Sequence, residues 1–409
     1  MPPRPVESRP CRRATQRQPA LVARLTFALF ALFALFACAA TVAGAQGAHA
    51  LPHHAGPKAA ARAASTPPPV APRSISLLTG LYASETPGWD VLVFERDGRP
   101  WLKVRSGDQG PEVFPAALRG DTLAWEVVAP PGPAVRAQPD RGFFTIERDS
   151  QRRATTLLLR GQHRLARQAL GPEAGSQLVH LPVRPLDELR REALAASPPV
   201  ETNRSAAPDL AELVRRDRTI HLEIRYATTY NLFGTVFYSQ ARAFLQRPAA
   251  ESLARASTWL KPYGVGLLVH DGYRPWYVTK MFWDAATPDV RPFVADPSSG
   301  SKHNRGAAVD LSLYDLRTGT PVEMPSTYDE TTIRAAADWP GGTSRQRWYR
   351  DLLRQAMESH GFTVNPVEWW HFDFEGWDRY PILNTPFEAL GSPPRSARPH
   401  TSTSPVPCR

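Results

Sequence analysis

The amino-acid sequence predicts an α+β domain preceded by a small all-β domain, with an export leader before both. Three observations support this prediction. Short β-prone runs recur about every ten residues in the first half of the chain, helical and strand-like patterns alternate in the second half, and a basic and then apolar segment opens the sequence. The chain has 409 residues, of which 42% are hydrophobic, and this is enough for about two domains with cores of their own. A wholly disordered or fibrous protein is therefore excluded.

The net charge of +10 is concentrated at the two ends of the chain. Residues 1–74 hold nine Lys or Arg and one acid, and residues 391–409 add three Arg, so residues 75–390 carry a net charge of −1. A nucleic-acid-binding domain would carry its own basic face. The sequence therefore predicts no nucleic-acid partner.

Residues 1–50 have the features of a signal peptide or a lipoprotein leader. Six Arg precede an apolar run at 25–40, which is long enough for a signal-peptide core and short for a membrane span. Small residues follow, and cleavage is expected after Ala45 or Ala50. In a second interpretation the LFAC string is a lipoprotein box and Cys38 carries lipid; in a third, the segment stays as an N-terminal anchor. Each interpretation predicts an exported protein of the periplasm or cell envelope, with membrane contact only through this leader.

Residues 51–74 are rich in Ala and Pro and are interpreted as a linker. Residues 75–180 are interpreted as the small all-β domain, a meander or half-barrel without a catalytic motif, acting as a binding or packing module. Five β-prone runs separated by turn signals support this: 90–94, 101–104, 122–128, 142–148 and 154–159.

Residues 181–208 are interpreted as a connector, 209–388 as the second domain and 389–409 as a disordered tail. Helical patterns at 253–260 and 348–357 alternate there with strand-like runs, which predicts the α+β class. The strand-like runs are 267–269, 307–313 and 369–374. Only three cysteines are present, in the leader and the tail, which excludes a disulfide framework.

Three short segments of the second domain hold the residues with catalytic chemistry: 271–276 (DGYRPW), 301–311 (SKHNRGAAVDL) and 368–373 (EWWHFD). A catalytic zinc takes three His, Asp or Glu ligands and keeps one position open. His303 and Asp310 lie at a predicted loop–strand junction, with Asp310 on a strand whose neighbouring positions face the core. Because an unpaired buried carboxylate is costly, Asp310 needs a partner, and a metal would supply one.

His371 is the third candidate ligand, and Glu368 is the candidate general base. Residues three apart face opposite sides of a regular strand, so we expect Glu368 at the strand entry or on a twist after Pro366. A carboxylate there could take a proton from zinc-activated water. Arg274 could stabilise the negative charge that develops on a carbonyl oxygen, a contribution of about 3–4 kcal/mol for one donor. Alternatively, Arg274 could be a salt-bridge partner of Asp271. His303, Asp310 and His371 could likewise be a structural, hydrogen-bonded core cluster.

Two patterns resemble those of the VanX-type D-alanyl-D-alanine dipeptidases, within the zinc DD-peptidase family. The first is S-x-H-x-x-G-x-A-x-D, formed by Ser301, His303, Gly306, Ala308 and Asp310. The second is E-x-W-H, formed by Glu368, Trp370 and His371, and the string GYRP at 272–275 adds a third match. The resemblance covers about residues 209–388, under half of the chain.

The resemblance implies the compact α+β zinc DD-peptidase fold that hedgehog signalling domains share. It implies one Zn²⁺ per catalytic domain and hydrolysis of D-alanyl-D-alanine, or a similar D,D-dipeptide, to free amino acids. It assigns His303, Asp310 and His371 as metal ligands, Glu368 as the catalytic base, Arg274 as the group that stabilises the tetrahedral intermediate, and Ser301 as a contact of the substrate's polar ends.

Two other functions remain open. A DD- or LD-carboxypeptidase acting on peptidoglycan stem peptides would use the same metal site. The predicted export favours this function, whereas the EWWHF and YRP strings disfavour it. A zinc-containing wall-binding module without activity would need neither Glu368 nor Arg274. The expected partner is thus a small D,D-dipeptide or a peptidoglycan-derived peptide, and no oligomeric state is predicted.

Overall fold

The computed structural model describes residues 66–391, apart from gaps at 86–88, 107–109, 127–140, 160, 162, 172–178 and 203. The predicted leader, residues 51–65 of the predicted linker and the tail beyond residue 391 lie outside the described residues, and so do all three cysteines, Cys38 among them. Within the described part of the chain, no helix combines the length and the apolar character that crossing a bilayer requires.

The first eight strands form a closed barrel. Each strand pairs antiparallel with the next, and β1 also pairs with β8 through Ala83 opposite Ala166, which closes the barrel. A short helix, α1 (Arg73–Ser76), precedes them. The strands are β1 (Gly80–Ser84), β2 (Trp89–Arg96), β3 (Arg99–Ser106), β4 (Glu112–Arg119), β5 (Thr122–Glu126), β6 (Arg141–Arg148), β7 (Ala154–Leu159) and β8 (His163–Arg167).

The all-β prediction for this region is confirmed, but the half-barrel is wrong, because the sheet closes. The sequence patterns located five of the strands and missed β1, β4 and β8. Strand β4 contains Pro115, and β8 reads HRLAR and buries only Leu165. Strand β4 has an apolar run that Pro115 interrupts, and β8 has none; pairing with their neighbours holds both strands in place.

Apolar side chains fill the barrel interior. Val91, Val93 and Leu102 are fully buried there, because alternate residues of a strand face the same side. The Phe144 ring packs against Trp125, with ring centroids 4.7 Å apart. The interior is therefore a packed core.

Residues 181–391 combine helices with two sheets, in agreement with the predicted mixture for this half of the chain. The helices are α2 (Leu186–Ala195), α3 (Leu213–Arg216), α4 (Arg247–Leu260), α5 (Trp276–Ala285) and α6 (Ser344–Glu358). The strands are β9 (Leu210–Glu212), β10 (His221–Leu222), β11 (Phe244–Gln246), β12 (Val265–Asp271), β13 (Ala308–Asp315), β14 (Phe362–Asn365) and β15 (Glu368–Phe374). Short 3₁₀ helices lie at Arg225–Ala227, Lys261–Tyr263, Arg291–Phe293, His303–Arg305, Ile333–Ala335, Trp377–Arg379 and Phe387–Ala389.

The larger sheet has the order β10-β12-β13-β15-β14, and β9 pairs with β11 in a second, two-stranded sheet. Strand β10 is parallel to β12, and the remaining pairs are antiparallel. Helix α4 contacts β12, and α6 contacts β13, β14 and β15, so both cover this sheet with their apolar faces. Helix α6 begins with a capping box, in which Thr343 and Gln346 satisfy each other's backbone amides.

The barrel contacts the second half of the chain at the start of α6. The Glu95 carboxylate, in β2, accepts a hydrogen bond of 2.6 Å from the Ser344 amide, and Arg347 donates one of 2.6 Å to the Glu95 carbonyl. Beyond β8, Gly171 lies so close to Glu330 that a Cβ added there would be 2.6 Å from the Glu330 carboxyl carbon. The barrel and its exit segment thus touch the region 326–347 at two places.

Candidate metal and catalytic site

Three adjacent strands of the larger sheet place their polar residues at one point. Asp310 on β13 lies opposite His371 on β15 and opposite Asp271 at the end of β12. His303 begins the 3₁₀ helix that precedes β13, and Gly306 ends this helix with φ +63°, a conformation that favours glycine. The sequence therefore folds so that two strands and one turn converge on Asp310.

The three predicted metal ligands lie together. One ligand atom from each of His303, Asp310 and His371 falls within 4.8 Å of the other two. Asp310 Oδ1 is 3.0 Å from His371 Nδ1 and 3.4 Å from His303 Nε2, and the two imidazole nitrogens are 3.1 Å apart. The side chains of His303 and Asp310 are 3% and 5% exposed, so the cluster lies in the interior.

The outer nitrogens of both imidazoles point at acceptors. His303 Nδ1 is 2.7 Å from the Gly272 carbonyl oxygen, and His371 Nε2 is 3.0 Å from an Asp373 carboxylate oxygen. A carbonyl or carboxylate oxygen only accepts, so these partners assign the protons to the outer nitrogens. With a cation between them, the inner nitrogens would direct their lone pairs at it; without one, the 3.0 Å separation of His371 Nδ1 and Asp310 Oδ1 also allows a hydrogen bond between these two groups.

The electrostatics of the cluster favour positive charge. Burial lowers the pKa of the His371 imidazole, but hydrogen bonds to Asp310 and Asp373 outweigh it and raise that pKa to about 10. Burial raises the pKa of Asp310, yet His303 and His371 outweigh it and hold the pKa well below its usual range. The carboxylates of Asp310 and Asp373 supply the negative charge that stabilises a positive charge at the two imidazoles.

Glu368 lies at the entry of β15, beside the cluster. A register shift between β14 and β15 pairs Val364 with Phe372 but Asn365 with Glu368, so the extra residues in β15 turn Glu368 towards His371. Its Oε2 is 3.8 Å from His371 Nδ1 and accepts a 2.9 Å hydrogen bond from the side-chain amide (Nδ2) of Asn365. The side chain is 28% exposed, yet its carboxyl lies deep enough for burial to raise its pKa, and the charge of Asp310 adds to the rise.

Arg274 is buried next to the cluster and paired with Asp271. Its Nε and Nη2 donate to Asp271 Oδ2 at 3.0 and 2.8 Å, and Nη2 is 4.0 Å from Asp310 Oδ2. Burial acts to lower the pKa of Arg274, but the charge of Asp271 outweighs it and holds that pKa well above its ordinary value. Burial raises the pKa of Asp271, and the charge of Arg274 opposes this rise. The salt bridge predicted as an alternative is present, and it holds the guanidinium beside the cluster of His303, Asp310 and His371.

Ser301 orders the turn that carries His303. Its hydroxyl oxygen accepts a 3.2 Å hydrogen bond from the His303 amide, and its own amide donates to Asn304 Oδ1 at 2.7 Å. Its contact with substrate stays a prediction.

Three neighbours of the cluster were not among the predicted site residues. Asp373 lies two residues after His371, so strand alternation alone would have placed it on the same face. Tyr328 donates a 3.0 Å hydrogen bond to Asp310 Oδ2 from a turn without any periodic pattern. Asp329 follows with φ +60°, and one of its carboxylate oxygens is buried and has no hydrogen-bond partner among the described residues. Burial and the charge of Asp310 raise the pKa of Asp329 to about 8.

Two imidazoles and a carboxylate around one point, with a second carboxylate beside them, are the arrangement that a metallopeptidase needs, and comparison with known proteins shows that class. Residues 207–388 match the peptidase M15 family, described as D-ala-D-ala dipeptidase. The chain is 33% identical over 189 residues to the D-alanyl-D-alanine dipeptidase of Escherichia coli (strain K12), a match that covers 46% of this chain and 96% of that protein. It is 33% identical to the enzyme of the same name from Enterococcus faecium and 31% identical to that of Streptomyces coelicolor, over 37% of this chain and 85% of each relative. The chain belongs to the peptidase M15 family of D-ala-D-ala dipeptidases.

Proposed function

We propose that this protein hydrolyses D-alanyl-D-alanine, or a similar D,D-dipeptide, to free amino acids in a zinc-dependent reaction. The observation that carries the proposal is the convergence of His303, Asp310 and His371 with Glu368, 3.8 Å from His371. The similarity to D-alanyl-D-alanine dipeptidases over nearly the full length of the Escherichia coli enzyme supports the substrate.

The residues present fit one zinc ion. Two imidazole nitrogens and one carboxylate oxygen are a donor set typical of catalytic zinc, which keeps a further position open. His303 Nε2, His371 Nδ1 and Asp310 Oδ1 would hold the ion. When bound, zinc supplies a Lewis acid that polarises the scissile carbonyl and lowers the pKa of a water towards about 7.

Glu368 is proposed as the general base that takes the proton of the attacking water and passes it to the leaving amine. Its raised pKa brings the carboxyl closer to the pH at which it must both accept and release a proton. Arg274 is proposed to stabilise the negative charge that develops on the carbonyl oxygen. Because Asp271 fixes its guanidinium at 2.8 Å, little reorganisation is needed when that charge appears.

The free ends of a dipeptide need partners of their own. Within the part of the chain that the structure describes, one buried carboxylate oxygen of Asp329 has no hydrogen-bond partner, and the ammonium group of a dipeptide would satisfy it. Ser301 is proposed to contact a polar end of the substrate. Export to the periplasm or cell envelope stays part of the proposal, since the leader lies outside the described residues.

The test is release of D-alanine from D-alanyl-D-alanine by the chain without residues 1–50, with Glu368→Gln as the matched variant. Glutamine keeps the shape of the side chain and removes the base, so we expect a 10²- to 10⁴-fold loss of kcat with about one zinc still bound per chain. Equal activity in both proteins would remove Glu368 from the mechanism. Failure of the zinc-loaded wild type to release D-alanine would refute the dipeptide substrate.

The second candidate is a DD- or LD-carboxypeptidase acting on peptidoglycan stem peptides, and the predicted export favours it. The same purified protein separates the two functions. A higher kcat/KM for a stem pentapeptide than for D-alanyl-D-alanine would decide for the carboxypeptidase.

A further inference from the structure

The two oxygens of Asp310 have different surroundings. Oδ1 faces His371 Nδ1 at 3.0 Å and His303 Nε2 at 3.4 Å. Oδ2 accepts a 3.0 Å hydrogen bond from the Tyr328 hydroxyl and lies 4.0 Å from Arg274 Nη2. The carboxylate therefore has one oxygen for a metal and one held by protein donors.

We propose that Tyr328 is a positioning residue for the metal site, whose hydroxyl holds Asp310 so that Oδ1 alone faces the two histidines. This inference rests on the metal site of the proposed function. It concerns how the site is held in shape, and it does not depend on which peptide is cleaved.

The ring of Tyr328 is itself held firmly. The residue is 3% exposed, and its ring stacks on His270 with centroids 4.7 Å apart and an angle of 26°. Trp370 packs against it edge-on, with centroids 5.6 Å apart. A hydroxyl on a ring packed from two sides has little freedom, so its direction can fix the direction of Asp310.

The supporting ring of His270 is fixed in turn by the sheet. His270 is 2% exposed on β12, and its Nε2 is 3.0 Å from the hydroxyl of Ser312 on β13. Ser312 lies two residues after Asp310, so it shares the same face of β13. Tyr328 belongs to a turn, but the two rings it packs on, His270 and Trp370, lie on β12 and β15, two of the three strands that carry the site.

We expect the hydroxyl of Tyr328 to increase the affinity of the site for zinc. Without it, Oδ2 would keep only the distant Arg274, and the carboxylate could rotate. Loss of an outer hydrogen bond to a metal ligand typically weakens metal binding by about 10- to 100-fold. The ring packing would be unchanged, because phenylalanine fills the same space.

The test compares Tyr328→Phe with a matched control, Tyr314→Phe. Tyr314 is 4% exposed on β13 and donates a 2.7 Å hydrogen bond to the Thr219 carbonyl, so its variant also removes one phenol hydroxyl. Zinc affinity is measured by competition with a fluorescent chelator, and the visible spectrum of the cobalt-substituted protein reports the coordination. We expect Tyr328→Phe to weaken zinc binding about 10- to 100-fold and to change the cobalt spectrum, and Tyr314→Phe to do neither.

Zinc affinities within twofold for the wild type and Tyr328→Phe would overturn the proposal, and so would a wild type that binds no zinc. A merely structural role would lower the melting temperature of the metal-free protein and leave zinc affinity unchanged, which is also contrary to the proposal. Because these measurements need no substrate, a protein that fails to cleave D-alanyl-D-alanine but loses zinc affinity in Tyr328→Phe would refute the proposed function alone.

Discussion

The ion pair of Asp271 and Arg274 gives the sharpest test of how the site is built. The two side chains are 1% and 9% exposed, and their closest atoms are 2.8 Å apart. Asp271→Asn removes one charge and keeps the shape of the side chain. Its Oδ1 can still accept from the Tyr238 hydroxyl, which donates to Asp271 at 2.8 Å.

The size of the effect follows from burial. Two unit charges about 4 Å apart attract each other by about 4 kcal/mol at an effective dielectric constant of about 20. Removing one partner of a buried pair typically costs about 3–5 kcal/mol, because the other charge is left uncompensated. We therefore expect Asp271→Asn to lower the free energy of unfolding by about 3–5 kcal/mol, measured by urea denaturation at neutral pH.

The double variant Asp271→Asn/Arg274→Met separates stability from catalysis. With both charges removed, most of the lost free energy of unfolding should return. Hydrolysis should not return, because loss of the guanidinium removes a donor expected to contribute about 10²- to 10³-fold to kcat. A loss below about 1 kcal/mol in Asp271→Asn, or a double variant less stable than the single one, would refute this reasoning.

Three further results are expected. Burial raises the pKa of Glu201, but hydrogen bonds from Arg305 and Arg204 outweigh it and hold the pKa at about 2. This carboxylate therefore stabilises the fold above about pH 4.5, and in acid urea titrations the wild type should lose about 2–3 kcal/mol more than Glu201→Gln as the pH falls towards 2. Removal of zinc with 1,10-phenanthroline should abolish hydrolysis and lower the melting temperature, and one equivalent of zinc should restore both, whereas hydrolysis that survives metal removal would contradict the mechanism. Gly171→Ala should cost about 1–3 kcal/mol more than Gly120→Ala in thermal unfolding, because Gly171, at φ +140°, lies against Glu330, whereas Gly120, at φ +57°, has no neighbouring atom within 4 Å. Equal losses would show that neither the contact with Glu330 nor the different backbone conformation of Gly171 matters for stability.

The elements around the site follow from short-range patterns. Val309, Leu311 and Leu313 alternate with Asp310 and Ser312, and this period of two is sufficient to predict β13 and the face on which Asp310 lies. The motifs then indicate which residues could share a metal. Neither pattern predicts the distances between the site residues, because these depend on the register of β12, β13 and β15.

Other features could not be predicted from local patterns. The position of Glu368 depends on a register shift between β14 and β15, and strand periodicity alone places it on the wrong face. Tyr328 and Asp329 lie in a turn, where only tertiary contacts decide which side chain reaches the site. Closure of the barrel depends on pairing of β1 with β8, two strands with few apolar residues.

Seven of the eight strand pairs in the barrel join neighbours in the sequence, and only β1 with β8 joins the two ends. A hairpin closes a short loop at small entropic cost, whereas the last pair must close the whole length of the barrel. We expect the hairpins to form early and the seam between β1 and β8 to close last, after the transition state for folding of this half. Substitutions that weaken the seam near Ala83 or Ala166 should then mainly speed unfolding, and those in β2 and β3 should mainly slow folding, as chevron plots would show. The seam would be the place where the barrel first opens under mechanical or thermal load.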